Sequence, residues 1–310
     1  MSEFLTVSVL TATVASGIRL SAPFLLAALG ETLGQRSGVL NLGVDGIMLV
    51  GAFGSYYTVL QTGNLWLGVL VGVAVGLSMG VLTAVVNVSF RAQQGISGIG
   101  IYLFGLGMSD LLFQKLVGTP RPISSLPALE IPLLGDLPVV GSMLFRHNAL
   151  VYAAIALVPI LAFVLNRTTY GTNVRAVGEN PEAADSMGVS VAGIRWSAVL
   201  VGCALAGLAG TALAIELGIF QQNLTSGQGF IAIALVYFGA WRPTGVLAGS
   251  LLYGMVAATV LQWKTLGIIP RSASDLAAMA PAVLTILALV VVARRFRQPT
   301  ALGRPYEREA

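Results

Sequence analysis

Between residues 65 and 90 the chain carries no charged side chain and hardly a polar one. The run is longer than the about 20 residues a helix needs to cross the hydrocarbon of a bilayer. Backbone in lipid must satisfy its own hydrogen bonds, so such a run is predicted to be a membrane-spanning helix. Breaks at polar and Pro/Gly clusters mark further apolar runs at about 5–29, 39–60, 96–117, 149–165, 196–220, 230–240, 246–263 and 276–293. The pattern predicts an all-α polytopic transmembrane bundle of about nine spans, between about eight and ten, in a single domain covering residues 1–310.

Composition agrees. Only 10% of the 310 residues are charged and 56% are hydrophobic, against about a quarter charged in a soluble domain. That excludes the soluble domains the length alone would allow, and with them most enzymes that work in water. The single cysteine, Cys203, forms no internal disulfide, and the single histidine, His147, builds no His-rich metal site. Neither lysine, Lys115 or Lys264, follows a glycine-rich phosphate loop, so no Walker-type ATP site is expected. Serines and carboxylates form no triad with His147, and no catalytic centre is evident. The N-terminus Met1-Ser2-Glu3 lacks the basic region of a signal peptide.

Orientation follows from the arginines. Arg294, Arg295, Arg297, Arg304 and Arg308 cluster after the last apolar run. This is the pattern of a cytoplasmic flank rather than a nucleic-acid patch. Counting back, the tail 294–310 and the loop 166–195 with Arg167, Arg175 and Arg195 fall inside, together with Arg36, Arg91 and Arg242. A loop at 118–148 holding Pro120, Pro122, Pro127, Pro132 and Pro138, with apolar stretches at 131–134 and 137–144, falls outside, as does the N-terminus. The proline loop reads either as a stiff docking surface or as a plain surface loop. Gly68, Gly72, Gly76 and Gly80, and again Gly202, Ala206, Gly207 and Gly210, put small residues on one helix face, which suits close helix packing.

Two segments look interrupted. Residues 36–46 place Asn41 and Asp45 among glycines at the start of a span. The run 230–240, at 1.5 Å per residue, reaches about 16 Å and is too short to cross. Broken helices of this kind point to a transport pathway. The corners beginning at Arg36 and Arg242 look alike and hint at two related halves. Asp45, Asp110 and Glu216 are carboxylates in or near spans, with Arg19 as a possible partner. Such groups mark either a pathway or a structural ion pair. Asn41, Asp45, Glu216 and Phe230 are the pathway candidates, with Glu216 at the outer mouth.

The loop 166–195 holds a helix with readable ends. Asn180 suits the N-cap and Pro181 the first helical position. Glu182 and Asp185 favour the positive end of the helix dipole, and Gly188 suits the position after the last turn. The predicted helix covers 181–187. It reads as a surface for another protein or as an ordinary connection.

The Asn41–Gly46 region, the Gly178-Glu179-Asn180-Pro181-Glu182-Ala183-Ala184 segment and the stretch from Gly229 to Gly245 resemble the permease subunits of bacterial ABC importers for branched-chain amino acids, simple sugars and nucleosides. Within that family the chain is most similar to nucleoside/simple-sugar permeases that work with basic-membrane-protein-type binding lipoproteins. The resemblance runs from Arg19 to Arg295, and an additional first span found in some sugar permeases is not expected here. It implies a multi-pass subunit of the bacterial inner membrane, in contact with lipid, paired with a second and related permease, a cytoplasmic ABC ATPase and an external binding protein, with no nucleic-acid partner. It also implies that Gly178, Glu179, Asn180, Pro181, Glu182, Ala183, Ala184 and Asp185 form a coupling segment fitting a cleft on the ATPase. ATP and magnesium would sit on that partner, no cofactor on this chain, and the chain would be a transport subunit rather than an enzyme. Nucleosides are the first expectation for the substrate, then simple sugars or branched-chain amino acids. An ion-coupled secondary transporter and a membrane scaffold are the rivals.

Overall fold

The computed structural model describes residues 7–130, 140–292 and 297–307. Residues 1–6, 131–134, 137–139, Ala293, Arg294, Arg295 and Arg308, which figure in the expectations above, lie outside the described residues, as do Pro132 and Pro138.

Each of the apolar runs is a helix. They are α1 (Val7–Arg36), α2 (Val44–Thr62), α3 (Leu65–Ala84), α4 (Gln94–Leu116), α6 (Ala149–Arg167), α9 (Val191–Leu217), α10 (Gln228–Phe238), α11 (Pro243–Thr265) and α13 (Ala280–Val292). Among the described residues, six helices are long and apolar enough to cross a membrane: those of α1, α3 with its π-helical extension to Ser89, α4, α6, α9 and α11. Between them lie the short α5 (Val140–Leu144), a two-stranded antiparallel pair β1 (Ala128–Glu130) and β2 (Arg146–Asn148), and α12 (Ser274–Ala278). The stretch expected to be one short helix in a polar loop holds two: α7 (Thr169–Glu179) and α8 (Pro181–Ser186).

The bundle is organised around α1 and α9, which pack on each other and bury most of their surface. α2 and α3 lie on α9, while α10 and α11 lie on α1. The small-residue faces explain the α3–α9 contact. A Cβ on Gly207 would come within 2.8 Å of Gly76 Cα, so the two backbones meet with nothing between them, as small-residue helix interfaces allow. Outward faces are apolar instead of charged, with Leu70 on α3, Leu103 and Phe104 on α4 and Ile160 and Phe163 on α6 all exposed. A continuous apolar exterior of this extent suits lipid and not water.

α1 continues beyond the predicted end of its span at residue 29, to Arg36. The two extra turns carry Glu31 and Gln35, both buried. The chain then turns back through a corner at residues 37–43, where the Asn41 N–H meets Glu31, before α2 begins at Val44.

Candidate coupling segment and pathway

α8 has the ends the sequence predicts. The Asn180 side chain accepts from the Ala183 N–H at 3.0 Å, and Pro181 opens the helix. Gly188 takes a left-handed φ of 82° just after the last turn, where the Val189 N–H reaches back to Ala184 O at 3.0 Å. An N-cap bond satisfies one of the free N–H groups of a helix start, and a left-handed glycine closes its end. α8 therefore stands as a separate unit, with Glu182 and Ala183 exposed and Ala184 buried. Beneath it Val177, Ala184 and Val191 form a small apolar cluster joined by Tyr306.

α7 fixes where α8 sits. Gly178 lies so close to the corner after α1 that a Cβ would collide with Arg36 O. Arg195, expected as a loop charge, is instead a buried residue of α9, 3% exposed. Its Nε donates to Ser37 O at 3.3 Å and its Nη1 to Arg304 O at 3.0 Å. Gly178, at the start of the segment 178–185, is thus held against the end of α1. Glu179 accepts from Thr300 Oγ1 at 3.0 Å.

The pathway candidates fall into different environments. Asp45 is fully buried. Its Oδ1 accepts from the Gly229 N–H at 2.7 Å and its Oδ2 from Thr225 Oγ1 at 3.0 Å. Asp45 lies in the first turn of α2, and Gly229 in the first turn of α10. A helix start carries unpaired N–H groups and partial positive charge, so one carboxylate serves two helix N-termini that meet inside the bundle. α10 has no side-chain cap of its own. Gly229 must be glycine, because a Cβ there would run into the Asp45 backbone.

Asn41 is also buried and closes the corner on itself. Its side chain accepts from the Gly43 N–H at 3.0 Å and donates to Cys203 Sγ at 3.5 Å. Its own N–H donates to Glu31 Oε1 at 3.0 Å. Glu31 also accepts from Gln35 Nε2 at 3.0 Å, Gln35 accepts from Trp241 Nε1 at 2.7 Å, and Arg36 Nε donates to Trp241 O at 3.0 Å. The two look-alike corners therefore touch, linked by a chain of bonds from Asn41 to Trp241. Ala240 and Trp241 both take left-handed φ values, 51° and 55°, which a side chain adopts only when its surroundings hold it there. Ending the first span at residue 29 hides Glu31 and Gln35 from sequence reasoning. A carboxylate one turn before a broken segment was the available signal.

Phe230 is 38% exposed and packs edge-on against Tyr102 of α4, ring centres 5.1 Å apart. It is the one pathway candidate of the four with an open aromatic face. Glu216 lies at the opposite end from α8. There its Oε2 accepts from Asn148 Nδ2 at 2.9 Å and its Oε1 lies 3.8 Å from Arg19 Nη1. The pairing with Arg19 is the one the charges suggest. Asp110 accepts from the Asn223 N–H at 3.3 Å, so it anchors the loop before α10.

Over residues 13–304 the chain matches the family described as branched-chain amino acid transport system / permease component. It is 36% identical over 315 residues to the guanosine ABC transporter permease protein NupQ of Bacillus subtilis, covering 97% of this chain and 98% of the relative. It is 33% identical over 310 residues to the nucleoside ABC transporter permease protein NupC of Lactococcus lactis subsp. cremoris, with the same coverage of 97% and 98%. It is 39% identical over 256 residues to the putative glucose ABC transporter permease protein TsgC13 of Haloferax volcanii, covering 81% of this chain and 77% of the relative. The two bacteria each have a second permease protein that also matches, NupP at 28% and NupB at 26% identity. No solved structure matches the chain. With a match over nearly its whole length and a bundle of membrane-length helices, the chain belongs to the family of permease components of branched-chain amino acid transport systems.

Proposed function

We propose that this chain is one of two permease subunits of an ATP-driven importer that brings nucleosides across the bacterial inner membrane. The observation that carries the reading is similarity along 97% of the chain to permeases named for guanosine and nucleosides. The paired relatives in each bacterium support a second, related permease as its partner.

Separate ATPase subunits bind and hydrolyse ATP, and an external binding protein delivers the substrate. The segment Gly178–Asp185, with α8 capped by Asn180 and Pro181, is the contact through which ATPase closure moves the bundle, on the cytoplasmic side with the C-terminus. α7 and Gly178 pass that motion to the end of α1, and the Glu31–Gln35–Trp241 bonds carry it to α10. Phe230 faces the pathway. Asp45 and Asn41 serve the pathway by holding the two broken helices in register, and Glu216 lies near the outer mouth. Substrate affinity resides mainly in the binding protein, which leaves an aromatic face rather than a charged site on the path.

The test is uptake of radiolabelled guanosine by cells expressing the complete system, with unlabelled glucose and branched-chain amino acids as competitors. Energy-dependent uptake that only nucleosides compete supports the proposal. Uptake of glucose in place of guanosine would overturn the substrate and favour the sugar reading, which the 39% identity to the putative glucose permease supports.

A further inference from the structure

In the sequence the tail reads only as a charged flank. In the structure residues 297–307 lie across the end of the bundle that carries α8, bonded to it at Thr300, Ala301, Gly303, Arg304 and Glu307. The Ala301 N–H donates to Gly178 O at 2.9 Å, and the Gly303 N–H donates to Gly38 O at 3.1 Å. Thr300 donates to Glu179, and Arg304 O accepts from the buried Arg195, as described above. Glu307 pairs with Arg91 at 2.9 Å. Tyr306 packs into the apolar cluster under α8.

Ordering an irregular segment costs about 1–2 kcal/mol per residue in backbone entropy, so a tail with no helix of its own stays in place only through such bonds. Its partners come from the corner after α1, from α7, from the start of α9 and from the corner before α4. The tail and α8 also face each other across a hollow of about 300 Å³, walled by Pro181 and Glu182 on one side and by Thr300, Arg304, Pro305 and Glu307 on the other. A protein that seats against α8 in this hollow meets the tail as well.

We propose that the C-terminal strap, residues 299–307, forms the second half of the ATPase-docking surface. It locks the coupling segment to the ends of α1 and α9, and it presents Arg304 and Pro305 to the same partner that contacts α8. This rests on the reading of 178–185 as the ATPase contact.

The sole cysteine, Cys203, is buried, so single cysteines introduced at exposed positions report on their own surroundings. Glu182→Cys and Arg304→Cys are made separately, since both side chains are exposed and the bonds of Arg304 run through its backbone. Labelling by a polar maleimide is compared in the detergent-solubilised complex and in the permease stripped of its ATPase. Both positions are expected to be protected at least tenfold in the complex. Protection of Glu182→Cys without Arg304→Cys overturns the strap and leaves the coupling segment standing. Protection of Arg304→Cys alone overturns the two-part seat, and protection of neither overturns the coupling segment and the strap together. A chain truncated after Gln298 is the second test. It should insert in the membrane and lose at least tenfold in ATPase co-purification, and undiminished co-purification overturns the strap.

Discussion

Asp45 and Gly229 lie 184 residues apart and are joined by a 2.7 Å hydrogen bond from the Gly229 N–H to the Asp45 carboxylate. Through that bond the start of α2 and the start of α10 share one acid. The starts of the two broken helices are therefore joined, and the acid that is a pathway candidate in the sequence is the group that joins them.

Asp45→Ala should leave the Thr225 hydroxyl and the Gly229 N–H buried without an acceptor. Each orphaned donor costs about 1–3 kcal/mol, so a loss of roughly 3 kcal/mol in stability is expected. Asp45→Asn keeps one acceptor oxygen and should lose less. Thermal unfolding of the purified permease in detergent checks both, and an unchanged midpoint for Asp45→Ala contradicts the shared cap.

Trp241→Phe keeps the ring beside Tyr237, where the centres lie 4.8 Å apart, but removes the bond to Gln35. The buried Gln35 oxygen is then unpaired, at a cost of about 1–2 kcal/mol. If the two corners pass motion through this bond, uptake should also fall while the amount of inserted protein stays constant. Uptake and expression measured side by side distinguish this from a purely structural effect.

Asn180→Ala removes the cap of α8, a change worth about 1 kcal/mol at a helix start. Glu182→Arg reverses an exposed charge in the first turn of the same helix, at a cost of about 0.3–1 kcal/mol against the helix dipole. Both should depress transport with normal insertion, Glu182→Arg more strongly. Normal uptake by Glu182→Arg at normal expression counts heavily against the coupling role of 178–185.

His147 of β2 is buried, and burial pushes its imidazole below the usual value of 6.5, against an opposing bond to Met143 O. The folded protein therefore holds it neutral while the unfolded chain takes up a proton first. Its contribution is complete above the ordinary imidazole range and is lost as pH falls through it. The native protein should lose more thermal stability between pH 7.5 and pH 5.5 than His147→Gln does. Equal losses would remove His147 from the account.

What the sequence made legible was local or periodic. The apolar runs each became a helix because lipid leaves the backbone no other choice, and the caps of α8 were readable because Asn180, Pro181 and Gly188 act within a few residues. α7 was not legible, since its eleven residues are too polar to stand out beside the spans. The function of Asp45, Glu31 and Arg195 was not legible either. Their partners Gly229, Asn41 and Ser37 belong to separate segments, and only packing brings them together. For the tail, counting arginines located the charge but missed the strap, whose bonds to Gly178 and Gly38 run through backbone that composition does not show.

In the proposed function this permease takes its energy from ATP on another subunit. The most direct measurement is purification of the chain from its native membrane in mild detergent, with identification of what accompanies it. The account predicts a stoichiometric ABC ATPase and a second, related permease. A single species that still transports in sealed vesicles without ATP would contradict it and favour an ion-coupled transporter.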